Sequence, residues 1–194
     1  MQAAISNGRN GLGCVIVFAA GNNNNSTVSY PANAIADIVA VGALSPCGER
    51  KNPSSCDGET NWGSNYGTAL DVMAPGVLIP TTDISGSAGY SSGDYFNRFN
   101  GTSSACPHVA GIAALVLSVN PSLTQKEVVT IIEKTAKKTG NYSYATVWFD
   151  VTVLLLNITI SLSAAAQAAK ALHKPYPISL FQVPLGLPFV VAYE

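Results

Sequence analysis

Apolar residues fall into unbroken runs in the first part of this chain and into helically spaced sets further on. Cys14-Val15-Ile16-Val17-Phe18-Ala19-Ala20 is apolar throughout and rich in β-branched residues. An unbroken run lacks the alternation of a strand with one wet face, so it predicts a central parallel strand buried on both sides. Asp37-Ile38-Val39-Ala40-Val41-Gly42-Ala43 predicts a second buried strand, and Leu70-Asp71-Val72-Met73-Ala74-Pro75-Gly76 a short third one closed by a Pro-Gly turn. Residues 77–82 and 94–99 are placed to pair as a hairpin across the Gly/Ser-rich connection 85–93. Residues 1–10 predict the last turns of a helix ending at Asn10-Gly11.

Residues 100–111 read Asn-Gly-Thr-Ser-Ser-Ala-Cys-Pro-His-Val-Ala-Gly, a loop running into an apolar helix that ends near Val119. Thr102 or Ser103 is expected to cap it, and Pro107, best tolerated in a first turn, argues for a start close to Ser103. Ala110, Gly111, Ala113 and Ala114 alternate with Ile112, Leu115, Val116 and Leu117, which predicts burial on most faces. Thr124-Gln125-Lys126-Glu127 is a capping box, followed at helical spacing by Val128, Ile131, Ile132 and Thr135. Lys134, Lys137 and Lys138 fall against the negative end of that helix, and Gly140 closes it. Residues 146–162 are apolar without a glycine, and 164–172 are spaced as a terminal helix. Asp150 interrupts the first apolar stretch, while Pro175, Pro177, Pro184 and Pro188 break the tail, so neither supplies a membrane span.

With 194 residues, one domain is the default. Charged residues make up 11% against roughly 25% in ordinary domains, and hydrophobic ones 47%, so much of the chain must be buried. A net charge of -1 leaves no electrostatic footprint for nucleic acid or an anionic surface. Residues 1–10 have no basic flank leading into an apolar block, hence no secretory leader of their own. Residues 45–67 form a Ser/Pro/Gly/Asn-rich loop insertion whose Cys47 and Cys56 suggest a local disulfide and an oxidising compartment. Zinc needs a fuller ligand set, so no metal centre is read here. Cys14 and Cys106 read as small buried hydrophobes.

At the mouth of the 100–119 helix sits a serine, where unpaired N–H groups suit a reaction that builds negative charge. Gly101-Thr102-Ser103-x-Ala105-x-Pro107-His108-Val109-Ala110-Gly111 resembles the nucleophile motif of subtilisin-like serine proteases. Ala19-Ala20-Gly21-Asn22 is similar to the family segment whose asparagine amide helps form the oxyanion hole. The resemblance implies that Ser103 is the acyl-transfer nucleophile and that Asn22 Nδ2 and the Ser103 N–H are the oxyanion donors. It puts Ala19, Ala20, Gly21 and Tyr30 along the pocket for the substrate residue before the scissile bond. Asp71 falls where some relatives hold a cation, although a hydrogen-bonded turn carboxylate is the preferred reading. No cofactor is required for the chemistry, and structural calcium is left open.

A serine hydroxyl needs a base, and the chain has two histidines. His108 lies five residues beyond Ser103, about 140° around the helix axis, and is structural in the matched motif. His173 has no recognisable context. Over residues 1–145 the chain therefore resembles the carboxyl-terminal half of a subtilisin-like catalytic domain, with residues 146–194 a divergent tail. The implied fold is α/β, three-layered, with a mostly parallel central sheet incomplete at its amino-terminal side. The implied function is secreted serine endopeptidase acting on peptide or protein substrate, in a fragment nearly inactive until the missing amino-terminal half supplies histidine and aspartate. A non-catalytic peptide-binding module and one half of a two-chain protease are the alternatives.

Overall fold

The computed structural model describes residues 1–139. Three parallel strands carry the fold: β1 (Ile16–Ala19), β2 (Ile38–Leu44) and β3 (Val72–Pro75), hydrogen-bonded in that order. All seven residues of β2 are buried, because it alone has a strand on each side. Alternate side chains point to opposite faces. Val39, Val41 and Ala43 join Val72 and Ala74 in the larger core cluster, while Ala40 and Leu44 join Met73 in a second one behind the sheet. The expected α/β architecture with a parallel sheet is thus present. Among the described residues the 14–20 run lies at an edge of the sheet: β1 is half-buried along its length, with β2 its only strand partner there. An unbroken apolar run reports two covered faces, and the number of neighbouring strands leaves no mark on it.

Two helices cover one face: α1 (Thr102–Val119) lies against all three strands and against α2 (Gln125–Thr135). Thr102, Ala105, Val109 and Ala113, three or four residues apart, form the buried stripe. Burial on most faces is not found: Ala110, Gly111 and Ala114 face outward, and Leu115 is 63% exposed. Small residues permit close approach without requiring it. The capping box of α2 is complete, with the Glu127 N–H donating to Thr124 Oγ1 and the Thr124 N–H to Glu127 Oε2. Gly140, His173 and the apolar segments beyond lie outside the described residues.

The short helix Gln2–Asn7 runs into a 3-10 turn, Gly8–Gly11, close to the expected stop. Strands β4 (Ile79–Thr82) and β5 (Tyr95–Phe99) pair antiparallel as expected and hand the chain to Asn100. The 45–67 segment departs from a simple exposed loop. Cys47 and Cys56 are disulfide-bonded, and inside the loop Lys51 is fully buried, 2.9 Å from Asp57 Oδ1. The Lys51 ammonium also donates to the Asn52 and Glu59 carbonyls and lies 5.3 Å from the Trp62 ring centre. Burial pushes the Asp57 carboxyl up, but the Lys51 hydrogen bond, the Glu59 N–H and the Lys51 charge outweigh it and hold the group below its ordinary range. Cys14 and Cys106 are half-buried rather than buried.

Candidate active site

Gly101, not Thr102 or Ser103, is the N-cap of α1, and no side chain caps the helix from that position. Its φ of +120° lies in a region that only glycine adopts readily. The Gly101 N–H donates to the Gly76 carbonyl at 2.8 Å, and Ser104 Oγ donates to the Gly101 and Gly76 carbonyls. The Pro-Gly turn after β3 is therefore the seat of the serine turn. The Thr102 hydroxyl is spent elsewhere: it donates to Asn22 Oδ1 at 2.9 Å and accepts the Gly21 N–H at 3.2 Å. Pro107 is the sixth residue of the helix, well inside it, so the bond that residue 107 would otherwise donate to the Ser103 carbonyl is forgone.

The free N–H groups at this helix end can be followed one by one. Gly101 donates to Gly76, Thr102 donates to Asn22 Oδ1 at 2.9 Å, and Ser104 donates to the Gly101 carbonyl at 3.0 Å. The Ser103 N–H takes no partner among the described residues. Two donors converge on Asn22 Oδ1, which fixes the amide orientation and leaves Nδ2 on the opposite side without a partner among the described residues. A Cβ placed on Gly101 would stand 3.0 Å from Ser103 Oγ, 3.5 Å from Asn22 Nδ2 and 3.7 Å from the Ser103 nitrogen. The absent side chain thus leaves one space within reach of a hydroxyl and two unpaired donors. Such an arrangement can receive a carbonyl group and hold the oxygen as it gains charge.

Asn65, which sequence reasoning missed, holds the Asn22 turn in place. Buried at 1% exposure, its Oδ1 accepts the N–H groups of Asn23 and Asn25 at 3.0 and 3.1 Å, and its Nδ2 donates to Ser29 Oγ. Gly21 has a φ of +104°, and a Cβ there would meet Asn65 Nδ2 and Ser29 Oγ at 2.5 Å each. Nothing local in Ser64-Asn65-Tyr66 signals this role.

The Ser29 N–H donates to the Ala20 carbonyl at 2.8 Å, which brings Tyr30 beside the Ala19–Gly21 segment. Ala20 is fully buried behind the sheet and offers only its backbone, Ala19 and Gly21 are half-buried, and Tyr30 is 78% exposed. A separate cavity beside Asn22 is lined by Glu59, Asn61, Trp62, Asn100 and Gly101. Ser103 is exposed and its hydroxyl makes no hydrogen bond among the described residues. His108 Nδ1 is bonded to the Ser104 carbonyl at 2.9 Å, which ties the ring to its own helix. Burial pushes the Cys106 thiol up, away from the thiolate that a cysteine nucleophile needs.

Asp71 Oδ2 accepts the Ala40 N–H at 2.7 Å, matching the preferred reading as a hydrogen-bonded carboxylate. Burial, opposed by that N–H and reinforced by the charge of Glu133, pushes Asp71 up to about 7. Among the described residues no three His, Cys, Asp or Glu side chains gather, so no calcium ligand set is identified from acidic groups there.

A sequence model of the Subtilase family, Peptidase_S8, matches residues 1–149. The calcium-dependent protease of Nostoc sp. is 42% identical over 159 residues, 74% of this chain and 23% of that protein. An extracellular protease of Xanthomonas campestris is 42% identical over 139 residues, 71% of this chain and 22% of that one. Among solved structures, a protease from Pseudoalteromonas arctica is 34% identical with a TM-score of 0.56, over 71% of this chain and 40% of that one. The chain spans less than half the length of each.

Proposed function

Because this chain belongs to the subtilase family, we propose that it carries the nucleophile and the oxyanion site of a secreted serine endopeptidase. Ser103 Oγ attacks the scissile carbonyl of a peptide or protein, its proton passing through a base to the amine that leaves as the C–N bond breaks, and water later cleaves the resulting acyl-enzyme. Asn22 Nδ2 and the Ser103 N–H hold the oxygen in the tetrahedral state. Both donors gain most when the charge is fully developed, so they favour the transition state over bound substrate. The observation that carries the reading is that the Ser103 N–H and Asn22 Nδ2, neither bonded among the described residues, lie around one space at the mouth of α1.

The base comes from outside the described residues, from an amino-terminal half of the catalytic domain in the same or a separate chain. Without it the reaction runs about a millionfold slower, the known cost of losing the base in a subtilisin. The disulfide and the name of the Xanthomonas relative support an extracytoplasmic location. The chemistry uses no cofactor. A structural calcium ion fits the family, and the Nostoc relative is named as calcium-dependent.

Co-expression with the amino-terminal half of the Nostoc protease tests the proposal. Hydrolysis of casein by the co-purified pair, lost in Ser103→Ala, is the expected result. A folded, stably associated pair that cleaves no peptide overturns the nucleophile role. The second reading, a peptide-binding module without chemistry, is favoured by the unbonded Ser103 hydroxyl, and peptide affinity unchanged by Ser103→Ala with no hydrolysis would establish it.

A further inference from the structure

The cavity beside Asn22 has a volume of about 400 Å3, and one wall comes from residues 59–62 of the insertion, just past the Cys47–Cys56 disulfide. Glu59 is the charged group of that wall. Its Oε2 accepts the Trp62 indole N–H at 2.7 Å, and its Oε1 accepts from Asn100 Nδ2 at 2.6 Å. Asn100 is held in turn by the Leu78 N–H on its Oδ1. Both donors to Glu59 are uncharged, so they orient the carboxylate without neutralising it.

The neighbouring cations are committed elsewhere. Lys51 is paired with Asp57 and reaches only the backbone carbonyl of Glu59, while Arg50 lies over the Tyr66 ring and donates to Asn24 and the Ser64 carbonyl. The wall therefore keeps one uncompensated negative charge. A carboxylate has about four lone-pair directions, and two are used here. Beside it stands the half-buried Trp62 ring, a surface for an apolar stem. An aliphatic stem ending in a cation matches both features, and a guanidinium matches the carboxylate best.

We propose that this cavity is a subsite for an arginine or lysine side chain of a peptide substrate, with Glu59 taking the charged head and Trp62 the stem. It receives a substrate residue other than the one facing Ala19–Gly21, none of whose members lines it. The assignment rests on the reading of Ser103 as nucleophile, because the cavity shares Asn22 and Gly101 with that site.

The test is peptide binding to the full chain, read by fluorescence anisotropy. Labelled peptides differ only in whether one position, moved stepwise along the sequence, is arginine, norleucine or glutamate. At one position arginine is expected to bind about tenfold tighter than norleucine. That ratio should fall towards one between about 20 mM and about 1 M salt. Glu59→Gln should abolish the preference. Equal affinities at every position, a preference that survives Glu59→Gln, or no binding of any peptide each overturn the proposal. If Glu59→Gln fails to fold, the salt dependence of the unaltered chain decides. Hydrolysis by the complemented pair is a separate readout: turnover with no arginine preference sinks the subsite alone, and an arginine preference with no turnover sinks the nucleophile role.

Discussion

On one side of the cleft, Ser103 and Asn22 are held by backbone and amide bonds running between three chain segments, with the Gly76 carbonyl below and Asn65 behind. On the other side, Glu59 and Trp62 hang on an insertion closed by a disulfide and by a buried ammonium. The serine side leaves the Ser103 hydroxyl and N–H and Asn22 Nδ2 unbonded among the described residues, and the insertion side satisfies Glu59, Trp62 and Asn100 among themselves. Donors meant for a transient charge must stay unpaired until that charge appears. A wall meant for a persistent ligand can be fixed in advance. The two sides should therefore separate under mutation, turnover depending on the first and stability on the second.

Ser103→Ala makes the widest separation. In the complemented pair, turnover should fall about a millionfold, the cost known for losing the nucleophile in a subtilisin. The melting temperature should stay put, since the Ser103 hydroxyl is exposed and unbonded. A large drop in melting temperature would make Ser103 structural and erase the contrast.

Lys51→Met reverses the pattern. It strands Asp57 in the interior without its partner, at a cost of about 3–5 kcal/mol in urea denaturation. Adding Asp57→Leu should return most of that loss. If Lys51→Met is neutral, the ammonium does not hold the insertion.

Asn22→Asp sharpens the serine side alone. Aspartate still accepts from the Thr102 N–H and hydroxyl but puts a negative charge where Nδ2 stood. We expect kcat to drop about 10²–10³-fold, the loss known for such a donor in a subtilisin, with KM little changed. A drop confined to KM would move Asn22 from the reacting oxygen to substrate binding.

Asp71, at the entrance to β3, should separate the two sides through pH alone. Its folded pKa, about 7, lies above its ordinary value of 3.8, so the protonated form favours the folded state. Its contribution is fully present below the ordinary value and is lost as pH rises towards about 7. Over that window stability should decline by up to about 1.4 kcal/mol per pH unit, and Asp71→Asn should flatten the decline. A decline unchanged in Asp71→Asn assigns it to another group, with Glu133, also pushed up by burial, the next to test.

What was legible in the chain was local. The capping box spans Thr124 to Glu127, the β-hairpin follows its turn residues, and the stretch that resembles the family motif fits in eleven consecutive positions. What was missed runs between distant segments. Asn65 reaches Asn23 across 42 positions, and Asn100 reaches Glu59 across 41. Thr102 looked like a cap because nothing beside it shows that Asn22 claims its hydroxyl. The 14–20 run showed its apolar character but not its place in the strand order, which is a property of the sheet. Tyr30 carried a family expectation that its 78% exposure does not help to explain.

The most direct test of the central claim is a covalent map of the complemented pair after treatment with a fluorophosphonate, read by peptide mass spectrometry. One phosphonyl adduct is expected, on the hydroxyl of Ser103, slowed by Asn22→Asp and absent in Ser103→Ala. An adduct on another residue of this chain, or none from a pair that still cleaves casein, would contradict the assignment of Ser103 as the nucleophile.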